Sequence, residues 1–203
     1  MNIAELLEQI AEKGWCVWDE FLTPDAVQQL RACFGNENAK NARIGRNENL
    51  LAEKTIRSDK ISWLEPEMGE PVQHYLMQME NIQRAVNREF FLGLFEYEAH
   101  FASYGKGAFY KKHLDAFKEN ISRRLTTVLY LNDNWTAEDG GELVIYDLDD
   151  KKLATVAPQG GRLIIFLSEQ FPHEVLPTNK ERISIAGWFR VNGVRDNFLD
   201  IAS

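Results

Sequence analysis

Apolar positions recur with two different periods, and the change falls near residue 93. Ile3, Leu6, Leu7 and Ile10 follow helical spacing and stop at Gly14, so a short amphipathic helix opens the chain. WCVWDEFL (15–22) reads as a short strand. Thr23-Pro24 is a helix start, with Thr as N-cap and Pro in the first turn, and that helix should run to about Phe34. Residues 35–60 are polar and rich in Asn, Lys and Arg, which predicts a long loop or a poorly ordered hairpin. A loop of that length in a compact domain is usually functional or mobile, and here it is expected to be a closing lid. ISWL (61–64) is a short strand. A second helix is expected over roughly 66–90, with Val72, Leu76, Met79, Ile82 and Val86 on one face.

From Leu94 the alternation has period two. LFEYEAHFASY, SRRLTTVLYLN, GELVIYDL, GRLIIFL and RISIAGWFRV are rich in β-branched and aromatic residues. Turn signals separate them: Gly105-Lys106-Gly107, Gly140-Gly141, Asp149-Asp150 and Gly160-Gly161. Strands at this spacing imply a β-sandwich or barrel, here buttressed by the N-terminal helices.

Composition narrows the class. The 203 residues suit one domain, with 44% hydrophobic and 27% charged residues in the ordinary globular range. The net charge of −8 repels phosphate backbones. The basic clusters Lys111-Lys112 and Arg123-Arg124 are small, so no nucleic-acid partner is expected. No run of about 18 apolar residues occurs, so no membrane partner is expected either. The first residues read as a helix and not a signal peptide. Cys16 and Cys33 form no Cys-x-x-Cys pair, which argues against a thiolate metal site and makes a reduced, cytoplasmic protein the expectation.

The chemistry gathers on few residues. His113-Leu114-Asp115 puts an imidazole and a carboxylate two apart, on one face of an extended chain. A distant second His would complete a two-His, one-carboxylate facial triad, the ligand set of non-haem Fe(II) oxygenases. His173, in FPHEVLP after the strand GRLIIFL, is the candidate. Arg182 opens the next strand and shares a face with Ser184, Ala186 and Trp188. A guanidinium inside a barrel needs an anion, and its fork matches a carboxylate. Thr126, Val128 and Tyr130 likewise share a face. His74 falls in the second helix and reads as structural or solvent-facing. His100 shares parity with Ala102 and Tyr104, and reads either as facing the pocket or as a surface residue beside Glu96 and Glu98.

Several motifs together resemble the 2-oxoglutarate oxygenase superfamily, in particular prolyl hydroxylases of the hypoxia-inducible-factor type and their bacterial relatives. They are Tyr110 through His113-Leu114-Asp115, Leu129-Tyr130-Leu131-Asn132 before Trp135, Gly140-Gly141-Glu142-Leu143, and Pro172-His173-Glu174-Val175 through Arg182 to Trp188. GWCVWDEFL and IRSDKISW look similar too, so the resemblance covers nearly the whole chain.

The resemblance implies a mainly β fold with flanking helices, a double-stranded β-helix of jelly-roll or cupin-like form. It implies a single dioxygenase domain over 1–203, with helical support and substrate loop in 1–92 and the β-helix core in 93–193. Fe(II) would be held by His113, Asp115 and His173, with 2-oxoglutarate and O2 as co-substrates and ascorbate as a further small molecule. Tyr130 would donate to the 2-oxoglutarate carboxylate beside Arg182. Tyr104 or Tyr110 would lie near the metal-proximal part, Leu143 and Trp188 would line the pocket, and Thr126 and Ser184 are carried as co-substrate contacts. A protein or peptide with a target proline is the implied substrate, met by Arg57, Asp59, Arg123 and His100, with Asp59 pairing with Arg123 to latch the lid. The rival readings are an oxygenase for a small molecule or another residue type, and a non-catalytic β-helix binding module. The turn after Tyr104 is Gly-Lys-Gly-Ala, shorter than in the animal enzymes, and 35–60 matches only at its end; both departures bear on substrate identity.

Overall fold

The structure is a computed structural model and describes residues 1–34, 59–116, 122–195 and 198–200. In chain order the elements are α1 (Ile3–Lys13), β1 (Trp15–Trp18), α2 (Pro24–Ala32), β2 (Asp59–Trp63), a 3-10 turn (Pro66–Met68), α3 (Glu70–Phe90), β3 (Leu94–Tyr104), β4 (Tyr110–His113), β5 (Arg123–Tyr130), β6 (Leu143–Tyr146), β7 (Lys152–Val156), β8 (Leu163–Leu167), β9 (His173–Val175), β10 (Arg182–Val191), β11 (Gly193–Arg195) and β12 (Phe198–Asp200). A second 3-10 turn, Ala137–Asp139, lies between β5 and β6.

The helices start and stop where local chemistry says they should. The Asn2 side chain accepts from Glu5 N, and Gly14 N donates back to Ile10 O at 2.9 Å. Thr23 caps α2 by accepting from Ala26 N, with Pro24 in its first turn. The expected helix over 66–90 is corrected at its start. Gly69, with φ 135°, interrupts it, so Pro66–Met68 forms a separate turn and α3 begins at Glu70. Its buried stripe is Val72, Tyr75, Met79, Ile82 and Val86, with Tyr75 rather than Leu76 fully covered. The expected strand 61–64 is β2, which begins two residues earlier and ends at Trp63.

Two antiparallel sheets form the frame. Six strands lie in the order β1-β8-β5-β10-β3-β2, and four in the order β4-β9-β6-β7. Strand parity then sorts side chains into two cores. From β10, Ile183, Ile185 and Phe189 join Leu125, Leu129, Leu163, Ile165 and Phe101 against the helices. The opposite face carries Ala102, Tyr104, Val128, Tyr130, Ile164 and Phe166, which meet Leu143, Ile145, Val156 and Val175 of the smaller sheet. The larger sheet is therefore buried on both faces, and the space between the sheets holds the chemistry. The expected lid falls on residues outside those described, apart from Asp59 and Lys60, which belong to β2. The short strands β4, β7 and β9 and the β11–β12 hairpin were not anticipated, and that hairpin extends past the expected 93–193 core.

Candidate active site

His113 ends β4 and His173 begins β9, and the two residues are directly paired across those strands. Asp115 follows two residues after His113. One donor atom from each of the three lies within 4.8 Å of the others. His113 Nε2 is 3.6 Å from Asp115 Oδ1, and His173 Nε2 is 3.5 Å from Oδ2. Each imidazole donates its Nδ1–H to a backbone carbonyl two residues back, His113 to Lys111 O at 2.7 Å and His173 to Phe171 O at 3.1 Å. That fixes the tautomer and leaves both Nε2 lone pairs aimed at Asp115, as metal-binding histidines require.

The electrostatics agree. Burial by itself would raise the pKa of Asp115, but the His173 and His113 imidazoles beside it hold it well below the usual carboxylate range. Burial lowers the pKa of His173, opposed by the Asp115 charge, so the imidazole favours its neutral, ligating form. Thr126 of β5 donates to Asp115 Oδ2 at 2.8 Å, and Ser168 Oγ sits 2.9 Å from the Thr126 oxygen. Thr126, carried as a co-substrate contact, is bonded in the structure to the Asp115 carboxylate. Ser168 went unnoticed because a serine after an apolar strand carries no signal of its own.

Deeper between the sheets, Arg182 is 1% exposed. Its Nε donates to Gly141 O at 2.9 Å and its Nη1 to Ser184 Oγ at 3.1 Å. The rings of Tyr104 and Tyr130 flank the guanidinium, with centroids 5.0 and 5.1 Å from Cζ. Two buried polar atoms here lack a protein partner among the described residues: Nη2 of Arg182 and the hydroxyl of Tyr130. Leaving such groups unmet costs on the order of 1–3 kcal/mol each, more for a charge. A carboxylate seated between them would satisfy both. The geometry thus offers an N/O ligand set suited to Fe(II) and, next to it, a cationic seat for the far end of a dicarboxylate.

The remaining expected residues fall as follows. Leu143 lines the space between the sheets. Tyr110 stacks on the His113 ring with centroids 3.7 Å apart, whereas the Tyr104 ring lies against Arg182. His100 is buried, its ring against Trp63 and Trp188, which overturns the surface reading. Arg123 packs over the Trp188 ring at 3.6 Å and is held by Glu98 through Nε and Nη2. The Asp59–Arg123 latch is corrected by register. Asp59 faces Tyr104, while Arg123 joins the sheet opposite Arg190, which itself faces Glu96. The two therefore stand at opposite ends of β3, on the order of 25 Å apart along it. Arg57 lies outside the described residues. His74 is exposed and pairs with Glu70 one helical turn away.

A model of the 2OG-Fe(II) oxygenase superfamily matches residues 99–190. The chain is 28% identical over 226 residues to a hypoxia-inducible factor prolyl hydroxylase of Caenorhabditis elegans, covering 97% of this chain and 29% of that one. It is 31% identical over 189 residues to Egl nine homolog 1 of Homo sapiens, covering 87% and 43%. The chain thus spans less than half the length of these two relatives. Among solved structures it is similar to a prolyl-4-hydroxylase of Pseudomonas putida, with 38% identity, a TM-score of 0.84 and coverage of 95% of this chain and all of the other.

Proposed function

Because the chain belongs to the 2OG-Fe(II) oxygenase superfamily, whose members use Fe(II), 2-oxoglutarate and O2, we propose that it hydroxylates a prolyl residue in a protein or peptide. The observation that carries the reading is the pairing of the His113–Asp115–His173 cluster with the two unmet polar atoms at Arg182 and Tyr130. The similarity to prolyl hydroxylases along nearly the whole chain supports proline as the target.

His113, Asp115 and His173 would hold the iron, which with O2 and 2-oxoglutarate supplies the oxidising chemistry: one oxygen atom goes to the substrate C–H, the other to succinate, with loss of carbon dioxide. The protein's part is placement. Arg182 and the Tyr130 hydroxyl take the far carboxylate of 2-oxoglutarate, so its keto acid end is directed toward the triad. Tyr104 and Leu143 shut water away from that anion and strengthen its pairing with the guanidinium. Thr126 and Ser168 keep the Asp115 carboxylate from rotating. The buried ring of Trp188, backed by His100 and Trp63 and covered by Arg123, forms a stiff aromatic wall on the side of β10 that faces the substrate.

Ascorbate as an accessory reductant rests on the family resemblance. The free, buried Cys16 and Cys33 support a reducing, cytoplasmic setting. The test is incubation of candidate proteins with the enzyme, Fe(II) and 2-oxoglutarate, followed by mass spectrometry for an added oxygen on proline and an assay of succinate. Asp115→Ala should abolish both signals. Succinate release without a modified proline in any peptide tested would leave an oxygenase of another substrate, and no consumption of 2-oxoglutarate by the unaltered protein would overturn the reading.

A further inference from the structure

Arg182 does not hold its own position. Its Nε is aimed by the carbonyl of Gly141, and that carbonyl belongs to a loop with little freedom. Gly140 and Gly141 both have positive φ, 65° and 70°. A Cβ on Gly140 would come within 2.5 Å of Pro177 O, and one on Gly141 within 3.1 Å of Arg182 Cδ. The loop is therefore pressed against 177–178 on one side and against the arginine on the other.

What fixes the peptide planes of this loop lies outside the pocket. Trp135 Nε1 donates to Gly140 O at 2.9 Å. Gly141 N donates to Pro177 O at 3.1 Å, and Asn179 N to Asp139 O at 2.7 Å. Asp139 also accepts from Thr136 N and Thr136 Oγ1 through its carboxylate. Lys180 closes the clip: its Nζ is 2.8 Å from Asp139 Oδ2, donates to Asn134 O at 3.1 Å, and sits 4.6 Å from the centroid of the Trp135 ring. A cation over an indole face holds that ring in place. Trp135 is largely buried, and its bond to Gly140 is shielded in part from water.

We infer that Trp135, clamped by Lys180, is a positioning residue for the co-substrate: through Gly140 and Gly141 it sets the direction of Arg182, and so the affinity for the far carboxylate of 2-oxoglutarate. The chain of contact is one hydrogen bond, two peptide planes and a second hydrogen bond. The contacts of Trp135 run to Gly140 and Lys180, so it acts on Arg182 through the loop. A guanidinium that turns by a few tenths of an ångström at its end loses the alignment that a two-point carboxylate contact requires. The inference rests on the reading of Arg182 as the 2-oxoglutarate seat.

The test uses the full protein loaded with Mn(II), which binds co-substrate without turnover, and compares two ligands by calorimetry. 2-Oxoglutarate spans from the metal to Arg182. Oxalate can chelate the metal but is too short to reach the arginine. Trp135→Phe keeps an aromatic face for Lys180 and removes the N–H donor together with the second ring of the indole. It should raise the dissociation constant for 2-oxoglutarate about three- to tenfold, as expected for loss of one neutral hydrogen bond. The constants for oxalate and Mn(II) should stay within about twofold of the unaltered protein. Lys180→Met, which retains the apolar stem, should shift 2-oxoglutarate in the same direction by a smaller factor. An unchanged 2-oxoglutarate constant in both variants overturns the inference, as does a parallel weakening of oxalate, which would mark a general structural role. Should Trp135→Phe fail to fold, Lys180→Met decides alone by the same criteria. Failure of the unaltered protein to bind 2-oxoglutarate at all would instead overturn the reading of Arg182.

Discussion

The hydroxyl of Thr126 donates to Oδ2 of Asp115 across 2.8 Å, at a place where both side chains are shut off from water. Since a threonine hydroxyl has one proton, the neighbouring Ser168 Oγ, 2.9 Å away, must donate to Thr126. Two neutral hydroxyls in series thus steady a buried carboxylate that has to meet a metal at a fixed angle.

Thr126→Val keeps the shape of the side chain and removes the donor. Partners of this kind are typically worth about 10–100-fold in metal affinity. The dissociation constant for Mn(II) should rise by about tenfold or more, with most of the loss restored in Thr126→Ser. Titration of the metal into each variant, with thermal unfolding as a check on foldedness, measures it. Equal affinities across the three proteins would show that Asp115 is held by its own loop.

Arg182→Lys keeps a positive charge and loses the planar fork. The KM for 2-oxoglutarate should increase about tenfold or more, corresponding to roughly 1.4 kcal/mol per decade, while Mn(II) affinity stays put. Initial rates of succinate release across a range of 2-oxoglutarate concentrations provide the measurement. A KM unchanged by the substitution would move the far carboxylate away from Arg182.

Gly141→Ala forces a side chain into a left-handed backbone, φ 70°, and toward the Cδ of Arg182. The strain should cost about 1–2 kcal/mol of stability and weaken 2-oxoglutarate as well. Gly107→Ala is the comparison: its φ is 82°, but nothing lies within 4 Å of the added carbon. It should lose similar stability and leave the co-substrate KM alone. Paired melting curves and KM values separate strain from the contact with Arg182.

Gly187→Ala meets a different obstacle. The new carbon would stand 2.3 Å from the Tyr97 hydroxyl, which bonds Tyr75 at 2.7 Å and Thr127 at 2.8 Å. Pushing that hydroxyl aside disrupts the contact between α3 and the sheet. Overpacking of this kind typically costs about 1–3 kcal/mol, and Tm should drop by several degrees. Adding Tyr97→Phe should recover only part of the loss, because Cζ would still lie 2.6 Å away. Full recovery would mean that the ring swings freely.

The frame was legible where burial imposes a simple rule. A sheet covered on both faces, as β3, β5, β8 and β10 are, fills with β-branched and aromatic residues, and that texture survives without any partner information. His113 and Asp115 were legible because strand geometry alone puts alternate residues together, and Arg182 because a guanidinium on the inward face of an apolar strand demands an anion. The three-residue β9 was not legible, since its identity comes from pairing with β4 and β6 rather than from its own composition. The break at Gly69 is invisible to a hydrophobic stripe that continues in phase on both sides of it. Thr126 was legible as an inward-facing residue of β5, but its bond to Asp115 was not: strand parity states a direction, and the depth at which Asp115 meets it depends on the turn after His113. Arg123 was likewise seen without Glu98, its partner on β3 two strands away, which no local pattern reveals.

The larger sheet has a consequence for how this protein can change over generations. Along β10, odd-numbered Ile183, Ile185 and Phe189 lie against the helices, while even-numbered Arg182, Ser184 and Trp188 serve the space between the sheets. Alternate letters of one short stretch of sequence are thus under separate tenancy. A library that varies only even positions near the open end can explore new substrates with the helical foundation untouched. A library that varies the odd ones can harden the molecule against heat without reshaping what it recognises. A single residue inserted or deleted at the start of β10 would exchange the two sets beyond it, turning Ile183 and Ile185 toward the space between the sheets and Ser184 and Trp188 toward the helices.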